Sequence, residues 1–197
     1  MRHLFLWALL LGGPACAEDL AQEASEHSDI DVSVWLDATE QSGTARGTVR
    51  ILASRKTVWA LITSCPEALR ILPGLVSCEV LETAGDHSWQ RIRHVMNYSW
   101  YVPTLTYELR ADYQAPVQVS VERLSGDLRT LNGTWRLEME GAMTVAHYAV
   151  SLSSGIWVPH WVVRAALRRD LPKMLRALQS RAETLDIQSR TPAARRP

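Results

Sequence analysis

Phenylalanine is nearly missing from this chain of 197 residues: there is one, Phe5, against eight tryptophans and five tyrosines. Almost every large aromatic side chain therefore carries an N–H or O–H, which suits boundaries between apolar and wet surroundings. An excess of either charge is also lacking. Lys plus Arg is 21 and Asp plus Glu is 21, so the net basic footprint of a dedicated nucleic-acid binder is missing. No stretch of the body approaches the ~20 apolar residues of a membrane span. Cysteine is scarce, three in all, with no C-x-x-C and no Cys/His pairing of zinc type. No two histidines have ligand spacing, so no metal is expected. No G-x-S-x-G elbow, P-loop, G-x-G-x-x-G or H-E-x-x-H is present.

What is present is a globular composition, 47% hydrophobic and 21% charged, of a length that suits one domain with appendages. Residues 1–17 read as a signal peptide. Arg2 and His3 form a basic start, residues 4–11 are an unbroken apolar run, and Ala15-Cys16-Ala17 fits the small-x-small cleavage pattern. Residues 18–28 are a loose acidic leader, the folded domain is 29–187, and 188–197 form a disordered basic tail. Export implies an oxidising compartment, the periplasm in a Gram-negative bacterium. There Cys65 and Cys78 either form a bridge adding roughly 2–3 kcal/mol or remain two small buried hydrophobes.

The polar/apolar alternation predicts strands at 30–36 and 47–53, then two short helices. Ser54 is the N-cap of the first, whose apolar face is Val58, Trp59, Leu61 and Ile62; the second spans 67–72. A meander follows, with strands at 76–83, 88–100, 104–113, 117–124, 131–140 and 143–152 separated by Gly, Asp, Ser and Pro turns. The chain ends in a helix over 159–187 with an apolar stripe of Val163, Leu167, Leu171, Met174, Leu178 and Leu185. Pro172 lies inside it and predicts a kink. One amphipathic sheet face and one long amphipathic helix are most simply satisfied by a curved antiparallel sheet wrapped around the helix. The fold class is α+β.

The segments 51–82 and 131–178 carry a resemblance. Ala53-Ser54, Val58-Trp59 and Leu72-Pro73-Gly74, followed by Gly133-x-Trp135, Tyr148 and Pro159, stand in the order seen in the START-like, helix-grip superfamily, also called SRPBCC. Within it the chain is similar to the polyketide cyclase/dehydrase and lipid-transport group and to the coenzyme Q-binding START-like proteins. The resemblance implies a deep apolar cavity between sheet and helix. It implies a lipid, quinone, sterol or polyketide-like ligand, carried or sensed there without a cofactor. A cyclase/dehydrase-type enzyme in the same cavity is the alternative, and a structural or partner-binding module without a cavity is a second.

If the apolar strand face turns inward, the ligand-binding candidates are Ile92, His94, Met96, Tyr98, Leu105, Tyr107, Leu109, Trp135 and Leu137. Val163, Leu167, Leu171 and Met174 close the site from the helix. His94, Tyr98, Tyr107 and Trp135 supply polar handles that a dry core avoids. His94 is the one inward group that titrates near neutral pH, and so the weak candidate for a catalytic base. Trp100, Tyr101, Trp157 and Trp161 cluster at element ends. They either form a cavity mouth with transient membrane contact or cap the core.

Overall fold

The computed structural model describes residues 29–37, 42–98, 103–156 and 160–190. Eight strands form one antiparallel sheet: β1 (Ile30–Leu36), β2 (Ser42–Ile51), β3 (Leu75–Thr83), β4 (Trp89–Met96), β5 (Leu105–Gln114), β6 (Gln118–Gly126), β7 (Leu128–Glu140) and β8 (Met143–Ser154). Their spatial order is β1-β2-β8-β7-β6-β5-β4-β3. Two short helices, α1 (Arg55–Ile62) and α2 (Cys65–Ile71), carry the chain from β2 to the far edge at β3. The meander then returns strand by strand until β8 lies beside β2. Register shifts in β3, between Glu108 and Leu109, and between Leu128 and Thr130 mark bulges, the devices that bend a sheet. This is the helix-grip fold, with the sheet curved around the C-terminal helix.

Local chemistry explains most element ends. Ser54 has extended backbone and its Oγ accepts the Thr57 N–H, capping α1. Pro66 opens α2, where its missing N–H costs nothing. The pattern places this helix at 67–72; instead the proline sits in its first turn and α2 starts at Cys65. Strand β2 likewise begins at Ser42, ahead of the expected start at residue 47, because β8 pairs with it along its whole length.

The predicted kink takes a specific form. The C-terminal helix consists of α3 (His160–Ala165), a π-helical turn at Ala166–Asp170, and α4 (Leu171–Arg190). The wide turn ends just ahead of Pro172, whose ring and missing N–H cannot serve the carbonyl of Arg168 four residues back. The helix also continues to Arg190, three residues into the segment expected to be disordered.

The core lies between the sheet and this helix. Ile51, Leu137, Leu175 and Leu178 are its largest fully buried side chains. Gly47 on β2 faces inward, and a Cβ there would lie 2.6 Å from the Leu175 side chain. The missing side chain is what lets α4 lie directly on β2. On its far end Asp186 accepts hydrogen bonds from the Ser54 N–H and the Thr57 hydroxyl at 3.0 Å each. Arg181 forks onto Glu67 of α2 at 2.9 Å. The C-terminal half of the helix is thus pinned to α1, α2 and β2. The outer sheet face is a lattice of exposed pairs, including Arg93–Glu108, Arg136–Glu138 and His147–Glu138 at 3.8 Å, each worth little in stability.

Candidate functional site

Inward-facing residues of β4, β5, β7 and β8 meet α1, α2 and the N-terminal part of the C-terminal helix, and the packing there is incomplete. Three adjoining hollows of about 130, 120 and 80 Å³ remain. The first lies under α2 and is lined by Ile92, His94, Tyr107, Leu109, Trp135 and Tyr148, with Cys65 and Cys78 at its rim. The second shares Leu72, Tyr107, Leu131 and Tyr148 with it and reaches the helix at Leu167, Asp170, Leu171 and Met174. The third shares Met96, Tyr98 and Ala166 with the second and adds Leu105 and Val163. Each is smaller than the ~300 Å³ typical of a small-molecule site, and shared lining residues place them side by side.

Strand alternation brings these residues to one face. His94 of β4 stands directly opposite Tyr107 of β5 on one side and Cys78 of β3 on the other. Its Nδ1 is 3.3 Å from the Tyr107 hydroxyl, with the rings edge to face at 5.5 Å. His94 is 9% exposed. Burial holds its pKa down at about 4, so the imidazole is neutral at pH 7. Burial likewise pushes the Tyr107 and Tyr148 phenols up, and lifts Tyr98 to about 12 with help from the nearby Asp170 charge. Trp135 packs on Tyr148 with ring centroids 4.3 Å apart. Gly133, also on β7, leaves its place to the Val121 side chain, 2.6 Å from where a Cβ would stand.

Twelve of the thirteen residues read from the sequence as cavity lining border these hollows. Leu137 does not. It is 1% exposed and packed in the solid core, because the inner face of β7 extends beyond the cavity toward α1. Of the mouth candidates, Trp100, Tyr101 and Trp157 lie outside the described residues, and Trp161 is 47% exposed. Cys65 and Cys78 are joined by a disulfide with Cα atoms 5.3 Å apart, tying α2 to β3. Sequence reading passed over Tyr148, Leu131 and Asp170 as lining. The alternation along β8 through Ala146, Tyr148 and Val150 carries the signal for the first. For Asp170 the signal is its spacing, three residues after Leu167 and four before Met174 on the apolar stripe of the helix.

Among the described residues no group of three or more His, Cys, Asp or Glu is placed to hold a metal ion, and no helix is long and apolar enough to cross a membrane. The hollows have mostly apolar walls with a few polar atoms, an arrangement that holds a hydrophobic molecule and orients one end of it.

Residues 51–179 match the family described as polyketide cyclase / dehydrase and lipid transport. The chain belongs to that family. Its members bind lipids or act as polyketide cyclases. No curated protein matches the chain. Among solved structures it is similar to a STAR-related lipid transfer protein from Xanthomonas axonopodis, at 20% identity and a TM-score of 0.65, covering 79% of this chain and 94% of that one. It is also similar to the Zhui aromatase/cyclase from Streptomyces sp. R1128, at 14% identity and a TM-score of 0.58, covering 84% and 98%. Human StAR-related lipid transfer protein 5 gives 11% identity and a TM-score of 0.63, covering 86% and 93%. At these identities the likeness is one of fold, and a fold shared by lipid carriers and cyclases does not choose between them.

Proposed function

We propose that this protein is an exported START-like domain that binds a hydrophobic small molecule in the central cavity, as carrier or sensor, without chemistry. The observation that carries the reading is the run of adjoining apolar hollows between β4, β5, β7, β8 and the C-terminal helix. A module with a collapsed interior would fill that space with side chains, as the core around Leu175, Leu178 and Ala182 does. The export part rests on the signal-peptide pattern of residues 1–17 and on the Cys65–Cys78 bridge, which persists in oxidising compartments. The ligand class is a lipid, quinone, sterol or polyketide-like compound, with transient membrane contact during loading.

The His94–Tyr107 contact favours one second reading, a cyclase/dehydrase-type enzyme. With its pKa near 4, however, His94 is a weak general base at neutral pH, far from the matched value that proton transfer favours. Tyr107, pushed upward, is held as a phenol. A carrier needs volume and a few fixed polar atoms, and that is what the geometry offers.

Native mass spectrometry of the protein purified from its own compartment, followed by organic extraction, tests the proposal. A discrete hydrophobic adduct is the expected result. A clean apo mass together with failure to take up any lipid, quinone or sterol probe would overturn it. Substituting His94→Ala is expected to weaken ligand binding by no more than about tenfold, the worth of one hydrogen bond. Complete loss of a turnover found in the wild type would instead establish the enzyme.

A further inference from the structure

The hollows have a polarity that apolar burial alone does not explain. Among the described residues the one acidic lining group is Asp170, the last residue of the π-helical turn. Its carboxylate borders the second hollow together with the hydroxyl-bearing side chains of Tyr98, Tyr107 and Tyr148. Of these, Tyr107 is engaged with His94. Asp170, Tyr98 and Tyr148 have no hydrogen-bond partner among the described residues. Spacings of three and four residues put Ala166, Leu167, Asp170, Leu171 and Met174 on the same wall. Among the described residues no Lys or Arg borders any of the three hollows, and the basic neighbours of Asp170, Arg169 and Lys173, are exposed. Burial pushes the Asp170 carboxyl upward and these two cations pull it back.

A carboxylate accepts hydrogen bonds and repels anions; phenols both donate and accept. A ligand ending in a carboxylate or phosphate would meet the Asp170 carboxylate with no Lys or Arg among the described lining residues to offset it. A ligand ending in a hydrogen-bond donor would satisfy the carboxylate and take a phenol as second partner. We infer that the cavity selects amphipathic ligands whose polar end is a hydrogen-bond donor, an alcohol or an ammonium, received by Asp170 with Tyr98 and Tyr148, and rejects those that end in an anion. This rests on the cavity-binding reading above and names the chemical class of the ligand's polar end.

The test compares three probes with the same alkyl chain, decylamine, decan-1-ol and decanoate, by titration calorimetry below their micelle concentrations. In the wild-type protein the amine and the alcohol are expected to bind at least about tenfold more tightly than the acid, the size of one charge-assisted hydrogen bond gained or one repulsion avoided. Asp170→Asn is close to isosteric and is expected to bring amine and acid within about twofold of each other while leaving the alcohol little changed. The wild-type ranking stands as a test even if that variant fails to fold. Binding of all three with equal affinity, or a preference for decanoate, would overturn the selectivity while leaving the cavity reading intact. Binding of none would remove the cavity reading and the selectivity with it.

Discussion

Along one helix the protein packs its interior in two ways. From Leu175 onward α4 lies on β2 with no space between them: Leu175, Leu178 and Ala182 are 0% exposed and the small residues Gly47 and Ala45 admit the helix closely. Polar groups that face the protein on that half are answered: Asp186 by Ser54 and Thr57, Arg181 by Glu67, and the Gln179 amide by the Arg50 carbonyl. Ahead of Leu171 the same helix crosses the larger side chains of β4, β5 and β8, changes its winding and leaves hollows edged by polar atoms with no partner. The difference teaches that the sheet is not a uniform cradle. Small inward residues on β2 make one end a stabilising clamp, and bulky aromatic ones on β4, β5 and β8 hold the other end open. Close packing is concentrated at one end of the helix and empty space at the other.

Truncation breaks the comparison most directly. Leu178→Ala empties a site closed on all sides and is expected to cost about 4 kcal/mol, within the range for buried leucines. Met174→Ala, one turn earlier, is expected to cost about half as much, because Met174 already borders empty space and gives up fewer contacts. Urea denaturation of both variants checks the ratio, and equal costs would show that the two ends are packed alike.

The next effect concerns the open end alone. The Cys65–Cys78 bridge spans 13 residues of chain and anchors α2, which roofs the first hollow. Replacing both cysteines by serine is expected to cost about 3 kcal/mol through the freed unfolded chain. Hydrogen exchange should rise in α2 and β3 and stay unchanged in α4 beyond Leu175. A rise spread evenly over α4 would show that the clamp depends on the roof.

The smallest effect is a pH dependence. The His94 pKa is lowered from 6.5 to about 4 by burial, so the unfolded chain binds a proton that the folded one does not. Its contribution to stability is fully present above pH 6.5 and is lost as the pH falls through that value toward 4, to an extent of about 2–3 kcal/mol. His94→Gln is expected to flatten this part of the stability profile in urea melts between pH 4 and 7. An unchanged slope would mean that the site is wetter than its burial indicates.

How far the site was legible from sequence varies residue by residue. The strand residues Ile92, His94, Met96, Tyr107 and Leu109 follow from a period of two, because a sheet with one buried face admits a single register. Leu137 obeys the same period and yet sits in solid core. Alternation tells inside from outside, but not which part of the inside is filled. The disulfide needed a Cα separation that no spacing along the chain supplies. The kink was readable from Pro172, whereas its form was not, since a proline can be met by bending, by lost hydrogen bonds or by a widened turn.

The sequence by itself determined the α+β order of elements, the inward face of the strands, the cap at Ser54 and the family. Each depends on neighbours within a few residues or on repeating pattern. The tertiary structure alone decided that the hollows remain open and that Leu137 does not border them. These follow from how closely a helix can approach each part of a curved sheet, which is set by side chains from β2, β4, β5 and β8 acting together across more than a hundred residues of chain.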